Sequence, residues 1–217
     1  MKSTVEFEVL PLNSKDSVNL RQKIAREAAT LLYSGVEKEY KQAKLKAAKT
    51  FGTHFLPTNL EVAKEFDRIA EENEGATRRK RLVKMRKEAL KLMKVLKAYT
   101  PVLTGSVWRG TTHRKSDIDI VVYHDEPNDV LATLRQNKLR VLRTERMTVT
   151  KQGHKKTSLH LHMDSPTNEK AEVIVRSLEE INNKGKCEIF GDRITGLNIQ
   201  ELEKTLNKNP TKRFVPF

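Results

Sequence analysis

The sequence predicts an α/β protein of the α+β type, in which a helical N-terminal region precedes a core of strands and helices. Between residues 17 and 98, apolar side chains recur at the spacing of helices that have one buried face. Beyond residue 100, short segments instead alternate apolar and polar residues, as strands do. Gly75 separates two of the helical segments. We therefore expect a helical region over residues 1–75 and an α/β domain over residues 76–217.

The length and the composition limit the class of protein. A chain of 217 residues suffices for one domain or two small ones. No apolar segment is long enough to span a bilayer, and the first residues lack the apolar core of a signal peptide. The single cysteine, Cys187, has no partner for an internal disulfide, which fits a reducing compartment. We therefore expect a cytoplasmic protein.

The formal net charge of +14 points to a class of partner. Domains this basic commonly bind polyanions, so nucleic acid, with RNA first, is the expected partner. The alternative is a solvated surface rich in ion pairs, as in heat-adapted proteins. That alternative calls for an even balance of signs, whereas 42 basic residues here outnumber 28 acidic ones. The imbalance favours nucleic acid.

The N-terminal region is predicted to be helical after a short strand at Val5–Leu10. A first helix begins near Ser17, and a second covers Val36–Phe51. At Thr58 the sequence Thr-Asn-Leu-Glu has the form of a capping box, which predicts the start of a third helix that ends near Asn73.

A fourth helix, predicted over Thr77–Ala98, combines an apolar stripe with a strongly basic remainder. The stripe predicts that one side of this helix packs on the protein core. The other side either contacts the phosphates of a nucleic acid or is merely solvated, and the sequence favours neither. The stripe consists of Leu82, Met85, Ala89, Leu92, Met93 and Leu96, and the basic residues include Arg79, Lys84 and Lys91.

The most specific pattern lies between residues 103 and 123, where two aspartates alternate with isoleucines. Asp117 and Asp119 are each followed by an isoleucine, Ile118 and Ile120. This alternation predicts a strand with one buried face, so both carboxylates point to the same side, with Cα atoms roughly 7 Å apart. Two such groups can hold a pair of divalent ions ~3.5–4 Å apart. Because like charges repel, a cation is their natural partner.

A turn upstream of this strand has the features of a phosphate-binding turn. The apolar run that ends at Leu103 stops at Gly105-Ser106, and residues 107–109 begin a short helix. Gly105 allows the backbone to approach a ligand closely, and Ser106 can cap the helix or bond an oxygen. A helix N-terminus also favours anionic phosphate. A phosphate turn followed by a carboxylate strand outlines a site for a nucleoside triphosphate.

Gly105-Ser106, ten intervening residues and then Asp117-Ile118-Asp119-Ile120 together resemble the signature of the DNA polymerase β-like nucleotidyltransferase superfamily. Either half of the pattern is common by itself, whereas both at this spacing, with Arg109 between them, are specific. The resemblance extends from Thr100 to about Val175. It implies a mixed-sheet nucleotidyltransferase core that transfers a nucleoside monophosphate from a nucleoside triphosphate to an acceptor hydroxyl.

The resemblance also implies the residues of the site. Asp117 and Asp119 would bind two Mg²⁺ ions, with Mn²⁺ as a substitute, and would be catalytic. The superfamily has a third acidic ligand, usually Asp, on a later strand. Glu172 fits this position best, as a ligand and catalytic residue, and Asp164 is the alternative. The residues expected to bind the nucleotide are Gly105, Ser106 and Arg109.

The chain after the carboxylate strand is predicted to continue the α/β core. The predicted elements are a helix from Asn128 or Asp129 to Leu134, a basic strand over Leu139–Thr150, a turn at Gln152-Gly153, a hairpin of strands Thr157–Asp164 and Ala171–Val175, a strand at Cys187–Phe190 and a helix capped by Asn198. His160 and His162 share one side of the hairpin. No further ligand lies at the spacing of a zinc site, so we interpret them as a polar sheet face that lines the substrate cleft.

Two other functions are compatible with the sequence. One is a basic nucleic-acid-binding protein with a vestigial transferase site, and the other is a toxin–antitoxin-type transferase that modifies transfer RNA or a protein. An intact phosphate turn and an intact pair of aspartates argue against the vestigial site, since a protein without the activity has no need to keep two repelling carboxylates. We therefore expect a metal-dependent nucleotidyltransferase.

Overall fold

A computed structural model of the chain describes residues 14–151 and 154–217. The strand predicted at Val5–Leu10 and the turn predicted at Gln152-Gly153 lie outside the described residues. Backbone contacts divide the chain into two compact units, Met1–Ile69 and Ala70–Phe217. The domain boundary expected near Gly75 stays a prediction.

The described part of the first unit is helical, as predicted. Helix α1 covers Ser14–Ser34, α2 covers Tyr40–Thr50, and α3 begins at Asn59. The predicted capping box is present, because the Glu61 backbone N–H donates to Thr58 Oγ1 at 3.2 Å and the Thr58 N–H donates to Glu61 Oε2 at 2.6 Å. Helices α1 and α2 pack together, and each buries small side chains that permit close approach: Ala25, Ala28, Ala29, Ala43, Ala47 and Ala48.

Helix α3 extends over Asn59–Val95 but leaves helical geometry at Gly75, where φ is 45° and ψ is −121°. The two helices predicted on either side of this glycine are therefore both present. A 3-10 turn at Lys97–Tyr99 follows. The predicted stripe of six apolar residues, from Leu82 to Leu96, is buried in the core of the second unit. The expectation of a core-facing side is confirmed.

The second unit is built on a mixed five-stranded sheet with the order β1-β2-β5-β4-β3. Strand β2 runs parallel to β5, and all the other neighbours are antiparallel. The strands are β1 Val102–Thr104, β2 Ile118–Tyr123, β3 Val141–Lys151, β4 His154–Asp164 and β5 Lys170–Arg176. The remaining helices are α4 Gly105–Arg109, α5 Pro127–Gln136 and α6 Ile199–Lys208.

The two faces of the sheet differ in character. On one face, apolar residues such as Ile118, Ile120 and Val173 are fully buried and share a core with the stripe of α3. The alternation of the strands sends the intervening side chains, Asp119 and Glu172 among them, to the opposite face. The apolar face therefore holds the sheet, and the polar face is available for chemistry.

The prediction of a strand at Cys187–Phe190 is wrong. These residues form a turn, in which the Gly191 N–H donates to the Cys187 carbonyl at 2.8 Å. The ring of Phe190 instead packs against the guanidinium of Arg109, whose Cζ lies 4.4 Å from the ring centre. The helix predicted after Asn198 is confirmed, because the Asn198 side chain accepts from the Glu201 N–H in a capping box.

Among the described residues, no helix combines the length and the apolar character that crossing a bilayer requires.

A buried arginine joins the C-terminal segment to the end of α4. Arg86 is fully buried in α3, and burial lowers its pKa to about 10, so it stays charged at neutral pH. Its guanidinium donates to the carbonyls of Val107 at 3.1 Å and Trp108 at 2.9 Å, which belong to the last turn of α4. It also donates to the carbonyls of Pro210 at 2.7 Å and Lys212 at 2.8 Å. Arg86 thereby supplies donors to carbonyls that a helix end leaves unpaired.

Replacing Arg86 with methionine should destabilise the protein strongly. The substitution keeps much of the side-chain volume but leaves the four carbonyls without their donor, at a cost of about 3 kcal/mol or more. We expect the melting temperature of the full chain to fall by roughly 6–12 °C. Lys87→Met is the matched control, since Lys87 is the exposed neighbour on the same helix, and it should change the melting temperature by no more than about 2 °C. Equal effects of the two substitutions would contradict a structural role for Arg86.

Candidate active site

Three carboxylates come together on the polar face of the sheet. Asp119 lies on β2, and Glu172 lies opposite it on the parallel strand β5. Asp117 immediately precedes β2. One carboxylate oxygen from each of the three residues lies within 4.8 Å of the others. The structure therefore brings together all three carboxylates predicted from the sequence, and their role as ligands stays a prediction.

This cluster is electrostatically unfavourable when it carries three negative charges. Burial, followed by the charges of Asp117 and Glu172, raises the pKa of Asp119 to about 8. Desolvation is also the main cause that raises the pKa of Asp117, and the charge of Glu172 adds to it. The cluster therefore retains a proton at neutral pH unless a cation takes its place.

The donor chemistry of the cluster fits a hard divalent cation. All three ligands offered are carboxylate oxygens, which Mg²⁺ and Mn²⁺ prefer over the nitrogen and sulfur ligands of softer metals. A cation among these oxygens would also remove the repulsion that raises the pKa of Asp119. Asp117, Asp119 and Glu172 are thus the residues that can hold such an ion.

Gly105, the first residue of α4, lies directly against the carboxylate of Asp119. Its φ is +66°, in the left-handed region that side chains rarely adopt. A Cβ atom at this position would lie 2.8 Å from Asp119 Cγ and closer still to Oδ2. Both the backbone conformation and the available space therefore require glycine. The turn predicted to bind phosphate thus adjoins the predicted metal ligands.

Ser106 connects this turn to the loop that leads into β2. Its hydroxyl donates to Ser116 Oγ at 3.1 Å, and Ser116 Oγ also accepts from the His113 N–H at 2.9 Å. Because Ser116 immediately precedes Asp117, these bonds couple the start of α4 to the first carboxylate. The predicted contact between Ser106 and a nucleotide stays a prediction.

Arg109, the third residue expected to bind the nucleotide, is not brought together with the carboxylates. Its side chain is buried and forms an ion pair with Asp192, with Nη2 2.7 Å from Oδ1. It also donates to the Phe214 carbonyl at 3.1 Å and lies over the ring of Trp108. Arg109 therefore holds the C-terminal segment against α4. A contact between Arg109 and a triphosphate stays a prediction, and it requires the ion pair with Asp192 to open.

Asp164, the alternative third ligand, lies at the end of β4 opposite Lys170. It is exposed. Among the described residues, the cluster comprises Asp117, Asp119 and Glu172 without Asp164. Between the two candidates, Glu172 is the one that meets the aspartates.

Two histidines of β4 contact Glu172. His160 Nδ1 lies 2.6 Å from Glu172 Oε1, and His162 Nε2 lies 3.7 Å from the same oxygen. The sequence predicted a polar face for both histidines, without a contact to Glu172. The pairing of the hairpin strands could have predicted this contact. In the β4–β5 pair, His162 lies directly opposite Glu172, and His160 lies two residues before His162 on the same face.

Comparison with known proteins finds a family model that matches part of the chain. The model of the nucleotidyltransferase domain family matches residues 80–182, which include α4 and all five strands. No curated protein matches the sequence significantly. Among solved structures, a cytoplasmic RNA terminal U-transferase aligns with 55% of this chain at 16% identity and a TM-score of 0.31. The alignment covers 37% of that transferase chain, so more than half of it has no counterpart here.

Gly105→Ala should disable the cluster without unfolding the protein. The added methyl group displaces the Asp119 carboxylate, so we expect the affinity for Mn²⁺ to fall by roughly tenfold or more. The affinity can be measured from the free Mn²⁺ signal in electron paramagnetic resonance. Gly52→Ala is the matched control, because Gly52 has a similar φ of +63° but no atom near the added methyl group. If the two variants bind Mn²⁺ equally well, Gly105 does not shape the site.

Proposed function

We propose, from the match of residues 80–182 to the nucleotidyltransferase domain family, that the chain transfers a nucleoside monophosphate from a nucleoside triphosphate to a hydroxyl group of a nucleic acid. The observation that supports this best is the carboxylate cluster of Asp117, Asp119 and Glu172 next to Gly105. A carboxylate whose pKa burial raises to about 8, as in Asp119, next to a glycine turn is expected where a protein binds cations and phosphates.

In the proposed reaction, the acceptor oxygen attacks the α-phosphorus of the triphosphate. A bond forms between this oxygen and the phosphorus, and the bond from the α-phosphorus to the bridging oxygen of pyrophosphate breaks. Pyrophosphate leaves with the electron pair. The acceptor hydroxyl loses its proton, and the carboxylates of Asp119 and Glu172 are the candidate bases. Such a transfer depends chiefly on positioning and on charge.

The residues of the site have separate tasks in this proposal. Asp117, Asp119 and Glu172 would hold two divalent ions, Mg²⁺ or Mn²⁺, whose charge neutralises the phosphates and lowers the pKa of the acceptor hydroxyl. Gly105 keeps the space beside Asp119 free of a side chain, which lets a phosphate approach the backbone. Ser106 is a further proposed phosphate contact, and so is Arg109 once its side chain leaves Asp192.

A row of lysines on α3 supports nucleic acid as the acceptor. Five exposed lysines recur at intervals of three or four residues and extend for about 21 Å along the helix. Acidic side chains contact three of them, so the row keeps a positive excess. A strand of phosphates complements such a row better than a neutral protein surface does. The row consists of Lys80, Lys84, Lys87, Lys91 and Lys94.

The test of the proposed function is a transfer assay with Mg²⁺ and each nucleoside triphosphate labelled at the α-phosphate. The acceptors are RNA, DNA and a protein mixture, and Asp119→Asn protein is the control for contaminating activity. Label on RNA or DNA that depends on Asp119 supports the proposal. Label on protein would favour the toxin–antitoxin-type transferase. No transfer, together with salt-dependent binding of nucleic acid, would favour the vestigial site.

The third carboxylate can be identified with a matched pair of substitutions. Glu172→Gln should lower the transfer rate by roughly 100-fold or more, because it removes one charge from the ion-binding cluster. Asp164→Asn should lower the rate by less than about threefold, since its carboxylate stands outside the cluster and surface changes of this kind have small effects. Single-turnover rates at saturating Mg²⁺ check both values. The reverse ranking would move the third ligand to β4.

The salt dependence of nucleic-acid binding tests the lysine row. Lys80 and Lys87 have no ion-pair partner among the described residues, so their reversal disturbs no described ion pair. If both contact phosphates, the variant Lys80→Glu/Lys87→Glu should reduce the slope of log K against log salt by about 1.4 on single-stranded RNA. Affinity should fall equally for all base sequences, because phosphate contacts carry no base information.

The control for this measurement is the variant Lys41→Glu/Lys49→Glu. Both lysines are exposed in the first unit, and the change in net charge is the same. Its slope should stay within about 0.3 of the wild-type value, since it removes no phosphate contact. Equal slopes for the two double variants would show that the row on α3 is only solvated.

A further inference from the structure

His160 forms the middle of a hydrogen-bonded chain that ends on Glu172. Ser158 Oγ lies 2.9 Å from His160 Nε2, and His160 Nδ1 lies 2.6 Å from Glu172 Oε1. The side chains of His160 and Glu172 are 14% and 17% exposed, so water competes little for this bond. The ring nitrogens have different partners, which suits the tautomer in which Nε2 accepts from the serine hydroxyl and Nδ1–H donates to the carboxylate.

Glu172 needs such a partner more than the two aspartates of the cluster do. Its side chain has one more rotatable bond than that of Asp117 or Asp119, and fixing it therefore costs more conformational entropy. Among the described residues, both imidazole contacts go to one oxygen, Oε1. Neither imidazole contacts the other oxygen, Oε2, which can therefore face a bound ion. A bond to Oε1 fixes the rotation of the carboxylate and hence the position of Oε2.

We infer that His160, held by Ser158, is a positioning residue that orients the Glu172 carboxylate for binding of divalent ions. The inference rests on the proposed ligand role of Glu172. His160 does not itself contact the ion in this assignment. Partners of this kind behind metal ligands commonly contribute 10- to 100-fold to metal affinity. His162 has a lesser part, because it lies 3.7 Å from Oε1 and also contacts Glu145 at 3.3 Å.

The test compares three variants of the full chain with Mn²⁺ alone as the probe. His160→Leu removes the donor and should weaken Mn²⁺ binding by roughly 10- to 100-fold. His160→Asn should restore the affinity to within about threefold of wild type, because its amide nitrogen takes the place of Nδ1 and can donate to Oε1. His162→Leu, the same substitution two residues away on the same face, should weaken binding by less than about threefold, since its imidazole forms no close hydrogen bond to Glu172.

Melting temperatures measured with a chelator show whether each variant is folded. Both His160 variants remove the imidazole ring, but only asparagine can donate a hydrogen bond to Glu172. Restored Mn²⁺ affinity in His160→Asn would therefore show that the hydrogen bond to Glu172 matters, rather than a general effect on the sheet. Wild-type affinity in His160→Leu, or equal losses in His160→Leu and His160→Asn, would overturn the inference while leaving the proposed transferase intact. Absence of Mn²⁺ binding by the wild-type protein would overturn both. Mn²⁺ binding that depends on His160 without any transfer would support the inference and contradict the proposed function.

Discussion

The parallel pairing of β2 with β5 is the constraint on which the site depends. It sets Asp119 opposite Glu172 on one face of the sheet and Ile120 opposite Val173 on the other. The register that brings the negative charges together therefore also buries apolar side chains. The burial of these side chains offsets the repulsion between the carboxylates. A slip of one residue would exchange the two faces and bury the carboxylates in the core. Apolar packing thus enforces the register that brings the three carboxylates together.

Two buried arginines stabilise the short helix that begins at Gly105. Arg86 binds the carbonyls at the end of this helix, and Arg109 pairs with Asp192 and holds the Phe214 carbonyl. A buried charge is costly unless its hydrogen bonds are satisfied, and here the C-terminal segment supplies several of the acceptors. A five-residue helix has little stability of its own. Its position beside Asp119 therefore depends on residues that lie 83 and 105 positions after Arg109 in the chain.

The positive charge of the chain is partly compensated in the folded protein. Basic side chains of α3 form ion pairs with acidic residues of the β4–β5 turn and of α6, as in Lys84–Glu169 at 2.6 Å and Lys94–Glu203 at 2.7 Å. Ion pairs between exposed side chains contribute little to stability, typically below about 1 kcal/mol. In the proposed function, a nucleic-acid phosphate would therefore replace the carboxylate at small cost.

The sequence by itself determined the features that depend on neighbouring residues. The alternation of aspartate and isoleucine around Asp119 established which face is polar, and the apolar stripe of α3 established which side is buried. The cap at Asn198 was also evident, since a capping box involves residues only three positions apart. In each case the interacting groups lie within a few residues of each other, so a local pattern contains the whole interaction.

Only the tertiary structure decided the features that depend on strand pairing and packing. The order of the sheet brought Glu172, rather than Asp164, to the aspartates and placed His160 behind it. Packing directs the Arg109 side chain to Asp192. The segment around Phe190, for which the sequence predicted a strand, forms a turn that packs against Arg109. These contacts join residues that are far apart in the chain. Local periodicity has no information about them, because their energy depends on which surfaces the folded core brings together.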